Sequence, residues 1–432
     1  MSADGGQPRY WGFYWPLALT GIVALLANQL QNATLARYPD PARELATFAI
    51  ATGVFHLFDA ALIFLPQMVN VLARSRASAR RCLRFTVAVC LSMTVPVLVL
   101  AIPAIGRPAL GALFHVEGET LDAVMIYLVL LSPNILLLGL RHYYSGLIVQ
   151  SKQTVWVTVL NTVYLAIVWI MLVAGRAAGW RATVTLAVSP LVASAVHLIL
   201  LRYVNARVCD ADFGGAAGEV RPGEINAFFW PVALTSVMFS LTRPILYLHL
   251  SRLPDPAPVI ASMRVGFDFA MIFHNLLNQF RHLFATFGKD DLPGVRRFMI
   301  RVTLAVIAGM TLVAWTPIST LVLQRLIGVQ GEVLRQSRHV LMAMCLLPAT
   351  VAWRNYFHGL ALVSRRTGPM GLGGLMRNAA TYVASWGLLR LGGLTHVTAA
   401  LILVLGFVAE TVTVIGWPRL VLRLRGARAA AG

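Results

Sequence analysis

Charge is scarce in this 432-residue sequence: Asp, Glu, Lys and Arg make up 12% of it, about half the share of an ordinary soluble domain. Lysine is nearly absent, with Lys152 and Lys289 the only two. With 58% hydrophobic residues and a mean hydropathy of +0.72, the chain excludes water as its main solvent. Its four cysteines, Cys82, Cys90, Cys209 and Cys345, have no paired spacing, which excludes a disulfide framework and a zinc site. There is no phosphate-binding glycine loop, zinc-binding helix or nucleophile elbow, so an enzyme with a cofactor or metal has no support. The formal charge of +19 is spread over short loops and forms no single basic tract, so nucleic acid is not the expected partner.

Apolar runs of spanning length fill the space these absences leave. Crossing ~30 Å of hydrocarbon takes roughly 20 helical residues, and the lipid core forces the backbone to bond within each helix. We place twelve helices at 11–34, 43–73, 82–106, 121–149, 153–175, 181–206, 224–250, 257–287, 298–326, 333–363, 367–391 and 395–421. The expected fold is an all-α polytopic membrane protein in a plasma or bacterial inner membrane. The first run is too long for a signal-peptide core and has no cleavage pattern, so it is read as a retained helix. Placing both termini in the cytoplasm puts most Lys and Arg in inside loops, Arg377 and the cluster Arg74, Arg76, Arg80, Arg81 and Arg84 among them, as the positive-inside rule requires.

An internal repeat organises these helices. Residues 13–41, FYWPLALTGIVALLANQLQNATLARYPDP, align without a gap on 228–256, FFWPVALTSVMFSLTRPILYLHLSRLPDP, sharing Trp15 with Trp230, Pro16 with Pro231, Arg37 with Arg252 and Asp40 with Asp255. A second match sets Arg141, Tyr143 and Gly146 on Arg354, Tyr356 and Gly359, at an offset of 213 residues against 215 for the first. Six helices per copy give two parallel bundles, 1–207 and 224–432, joined by a cytoplasmic linker over 208–223, around a central cavity. Pro16, Pro231, Pro133 and Pro348 are expected to bend their helices.

Charges within apolar helices cost ~2.5–3.5 kcal/mol at mid-bilayer and mark functional sites. Arg141, Arg243, Arg264 and Arg354 lie deep by helical rise, and arginine suits the paired oxygens of carboxylate and phosphate. Arg281, Asn278 and Asn28 join them as candidate cargo ligands, with Gln29, Gln31 and Asn32 beside Asn28. Glu410, Asp59, Asp268 and His274 are the candidate proton-coupling groups. Against these readings stand ordinary packing roles: snorkelling for any one arginine, an arginine partner for Glu410, and mutual neutralisation for Arg264 and Asp268, four apart on one face. The partners expected are a small anionic substrate, the lipid bilayer, and protons or another coupling ion; no cofactor is expected.

Four stretches carry a family resemblance: FFWPVALTSVMFSLTRPI (228–245), LLNQFRHLFATFGKDD (276–291), LLPATVAWRNYFHGLALVSRRT (346–367) and GFVAE (406–410). The chain resembles the progressive ankylosis protein family, whose fold is similar to the multidrug/oligosaccharidyl-lipid/polysaccharide (MOP) exporter superfamily. The resemblance implies export of a polyanion such as pyrophosphate, ATP or another nucleotide, or citrate, with Arg243, Pro244, Arg281, Arg354 and Glu410 as matching positions. Arg141 has no counterpart in that pattern and rests on the internal repeat. The chain departs from animal members in lacking their long acidic tail. Two other functions stay open, a flippase for a lipid-linked precursor and a non-transporting membrane scaffold. A major-facilitator arrangement ranks lower because the loop ARSRASARRCLR lacks that family's glycine and aspartate.

Overall fold

The two exit-turn aspartates of the repeat are helix caps. In the computed structural model, which describes residues 7–151, 153–208, 220–288, 290–363 and 368–430, α1 runs Gln7–Leu35 and Asp40 stands at the N-cap of the next helix, Pro41–Asp59. Pro41 occupies the first turn, where its missing N–H is harmless because those positions have no intrahelical acceptor. The Asp40 carboxylate accepts from the Arg43 backbone N–H at 3.2 Å. Asp255 takes the same N-cap position before Pro256–Asn278, without the side-chain bond.

Twelve long helical segments follow from the pattern. The second, α2, continues from Pro41–Asp59 through a 3₁₀ stretch, Ala60–Phe64, into Leu65–Leu72. Next come α3 (Arg76–Leu100), a short helix Pro103–Phe114, α4 (Gly118–Gln150), α5 (Thr154–Ala177), α6 (Ala182–Val208) and α7 (Pro222–Leu250). Then α8 (Pro256–Asn278, extended by Phe280–Phe287) leads to α9 (Leu292–Trp315) and a short helix and π turn, Ile318–Leu321 and Val322–Ile327. The last three are α10 (Gly331–Ala343, a 3₁₀ step at Met344–Leu346, then Leu347–Val363), α11 (Gly368–Arg390) and α12 (His396–Ala430). Among the described residues every one of these regular elements is helical, and ten segments are long and apolar enough to cross a membrane. Large apolar side chains such as Val155 (72%), Ile199 (67%) and Leu304 (60%) stand exposed, an outer surface suited to lipid. The chain is a multi-pass membrane protein.

Two expectations are corrected. The basic cluster after α2 was read as a loop, yet α3 already starts at Arg76: Ser75 and Ser78 form a reciprocal capping box, so Arg76, Arg80, Arg81 and Arg84 ride on helix. Of the paired mid-helix prolines, Pro348 follows a 3₁₀ step while Pro133 lies inside an unbroken α-helix, so the repeat does not conserve that irregularity.

Packing groups the chain into two units: Leu26–Arg252, and Met1–Leu25 together with Leu253–Gly432. In the first, α4 packs on α2, α3 and α6, and α7 packs on α2. In the second, α11 packs on α12 and α8 on α10, while the start of α1 joins through the Tyr14 hydroxyl, which donates to the Leu276 carbonyl at 2.7 Å. The expected linker at 208–223 lies, over 209–219, outside the described residues.

Asp291 shows how the caps bear on stability. Its carboxylate accepts from the Gly294 N–H at 2.9 Å and from the Tyr10 hydroxyl, and these bonds hold it below the usual carboxylate range. A lowered folded-state pKa contributes stability above the ordinary carboxylate pKa and loses it as pH falls through the lower, folded-state value. Tyr10→Phe is expected to destabilise the protein at pH 7, with the gap from wild type closing in acid, as melting curves at several pH values would read. Asp40→Ala should cost about 1 kcal/mol as a lost cap, read in the same melts.

Candidate functional site

Close helix approach at two glycines builds the main charged cluster. On α12, a Cβ at Gly406 would lie 3.0 Å from the Arg377 side chain, and on α11 one at Gly373 would lie 3.1 Å from Glu410. With hydrogen at both places the helices close, and Arg377 Nη1 donates to Glu410 Oε2 at 2.6 Å. Both residues are buried, at 2% and 4% exposure. From α10, Arg354 Nη1 lies 3.8 Å from the same carboxylate oxygen, and His358 Nε2 is 3.5 Å from the other.

The Arg354 fork is held on its far side by amides. Its Nη2 donates to Asn278 Oδ1 at 2.9 Å and Asn355 Oδ1 at 3.2 Å, and Asn355 is anchored by donating to the Leu277 carbonyl at 2.8 Å. Phe407 faces both guanidinium groups, 4.9 Å from Arg354 and 5.5 Å from Arg377. His274 is buried on α8, in electrostatic reach of Arg354, and neither ring nitrogen has a hydrogen-bond partner within the protein. Two fixed cations share one carboxylate, which gives a buried group of net positive charge wherever the histidines are neutral.

Of the predicted residues, Arg354, Asn278, Glu410 and His274 therefore come together. Arg264 and Asp268 do not join them: they face each other at 3.9 Å, both buried, about 15 Å or more along α8 from Asn278. Asp59 pairs with His56 at 2.9 Å in the first unit, where Asn28 and Arg243 are half-buried. The Arg281 side chain lies outside the described residues.

Arg377 is the residue the sequence reading misplaced. It was counted among cytoplasmic loop charges, yet it is the tenth residue of α11, about 14 Å along the helix. Its neighbours in sequence, GPMGLGGLMRNAA, look like a loop, and its acid partner lies 33 residues on, beyond any local spacing rule.

A signal was available in the repeat. Arg141 is the counterpart of Arg354 at an offset of 213 residues; the same offset carries Tyr164 to Arg377 and His197 to Glu410. The first unit brings its three together as well. Arg141 Nε donates to His197 Nδ1 at 2.7 Å, Arg141 Nη1 donates to Ser194 Oγ at 2.9 Å, and the guanidinium sits 4.1 Å above the Tyr164 ring. The repeat thus places three equivalent side chains in contact twice, with different chemistry each time.

No family model and no curated protein matches the chain. Solved structures do. An inward-facing multidrug resistance MATE family transporter of the MOP superfamily aligns with TM-score 0.70 at 14% identity, covering 96% of both chains. The lipid II flippase MurJ aligns with TM-score 0.71 at 13% identity over 93% of this chain and 87% of that one. The fold is that of MATE and MurJ. A MOP superfamily transporter from Pyrococcus furiosus, described as having a binding pocket of reversed polarity that suggests a different function, aligns with TM-score 0.55 at 14% identity over 94% of both chains.

Proposed function

We propose that the protein is an alternating-access transporter that exports a small polyanion, of the class that includes pyrophosphate, nucleotides such as ATP, and citrate, with both termini in the cytoplasm. The observation that carries this reading is the sign of its buried charge. Arg354 and Arg377 share one carboxylate, and Arg141 has none among the described residues. A carrier of cationic drugs needs the opposite excess, as acids at mid-membrane.

In this reading Glu410 stands in for the cargo. Between transport events it neutralises Arg377 and Arg354; an arriving anion with several acidic oxygens offers both guanidinium forks the paired acceptors they suit. Asn278 and Asn355 keep the Arg354 fork aimed during the exchange. Glu410, once displaced, is the group available to take a proton and couple export to a gradient, with Asp59, Asp268 and His274 as further coupling candidates.

The test is uptake of labelled citrate, pyrophosphate and ATP into proteoliposomes, with and without a pH gradient. Wild type is expected to give saturable flux for one of them. Arg354→Ala, matched for abundance, should lose roughly 10- to 100-fold, the worth of a charge-assisted bond at ~1.5–3 kcal/mol. Equal flux in the variant would overturn the reading. The likeness to MurJ favours a second one, in which the same arginines grip a lipid-linked diphosphate; flux only with a lipid-linked substrate in the same liposomes would select it.

A further inference from the structure

The repeat puts His197 where the other copy carries Glu410, and that exchange leaves two donors facing no acceptor. Because Arg141 Nε donates to His197 Nδ1, that nitrogen is the acceptor of the neutral ring and Nε2 carries the hydrogen. His197 is 2% exposed, and its Nε2 has no hydrogen-bond partner among the described residues. Arg141 is half-buried; it meets the neutral His197 and Ser194 and the face of Tyr164, and no carboxylate. Its Nη2 donates to nothing among the described residues. A buried N–H without an acceptor costs ~1–3 kcal/mol, and an uncompensated guanidinium within a membrane helix costs more.

We infer that Arg141 and His197 form a binding site for a small anion, chloride or a single carboxylate group, which supplies in the first unit the negative charge that Glu410 supplies in the second. The groups at hand are the ones such an anion requires: the free Nη2 of a permanent cation, the Nε2–H of a buried imidazole, and an aromatic face that keeps the guanidinium in place. Tyr164 and His197 pack ring to ring at 5.7 Å, so the imidazole is held on both sides. The site is separate from the cargo cluster, and it requires no flux to be detected. Failure of the transport reading therefore leaves it standing, and the converse holds too.

The test is thermal melting of the purified full-length protein in detergent, titrated with sodium chloride or sodium acetate against sodium gluconate at equal ionic strength. Wild type is expected to gain about 5 °C, saturably, as binding to the folded state alone would give near one hundred times the dissociation constant. Arg141→Gln should abolish that gain. His197→Glu, which builds the carboxylate in, should also abolish it while melting at or above anion-free wild type. His197→Gln keeps an amide acceptor for Arg141 and an N–H donor, and should retain at least half of the gain. No anion-specific gain in wild type, or an equal gain in Arg141→Gln, overturns the inference; if His197→Glu does not fold, Arg141→Gln and His197→Gln still decide it.

Discussion

Glu410→Gln is expected to lower stability by ~3–5 kcal/mol, the cost of leaving one partner of a buried ion pair without its counter-charge. Arg377 and Glu410 are both nearly inaccessible and 2.6 Å apart, and Arg354 and His358 turn to the same carboxylate, so removing the acid exposes two cations to each other at once. Melting in detergent and abundance in the membrane both read the loss. Arg377→Gln alone should cost a similar amount, while the double variant Arg377→Gln/Glu410→Gln should lie well above the sum, since breaking a buried pair costs more than deleting it. The cargo reading adds a second readout. If Glu410 stands in for the transported anion, saturating pyrophosphate or citrate should restore more of the melting temperature in Glu410→Ala than it adds to wild type. A Glu410→Gln protein that melts like wild type would show that the cluster does not hold α11 to α12.

How much of this was legible in the sequence depended on the range of each interaction. The helices were readable because a spanning helix satisfies its own backbone, so a run such as 121–149 needs no partner to declare itself and appears as Gly118–Gln150. Ends were less so: the start of α3 is set by Ser75 and Ser78, a local box hidden by five arginines that look like loop. At the site, Arg354 and Glu410 were visible because a charge inside an apolar run is costly wherever its partner lies. Arg377 was not, since glycines around it mimic a turn and serve instead to admit α12. The Arg264 and Asp268 pairing was readable from their i,i+4 spacing, and their separation from Arg354 follows from helical rise alone. Only the offset of 213 residues carries long-range information, and applied to every polar residue it would have named Arg377, Tyr164 and His197 together.

That offset also predicts where the fold cannot accept bulk. Gly146 on α4 and Gly359 on α10 are repeat counterparts, and each meets α2 or the extension of α8 at counterpart positions: a Cβ at Gly146 would lie 2.8 Å from Val69 and from the Pro66 carbonyl oxygen, and one at Gly359 would lie 2.5 Å from Phe284. Val69 and Phe284 are related by the first offset, 215, so the same crossing is built twice from different side chains. Both partners are fully buried, which leaves them no room to retreat. Gly146→Val and Gly359→Val should each cost ~1–3 kcal/mol or more by overpacking. Gly146 is the stricter case because a backbone carbonyl cannot rotate away as a ring can. Replacing Phe284 with Leu should recover part of the loss in Gly359→Val, whereas Val69→Ala should recover little in Gly146→Val, where Pro66 remains. Melting temperatures of the four variants read both halves of the argument. Full rescue of Gly146→Val by Val69→Ala would mean that side chains alone, and not the α2 backbone, set how closely α4 approaches.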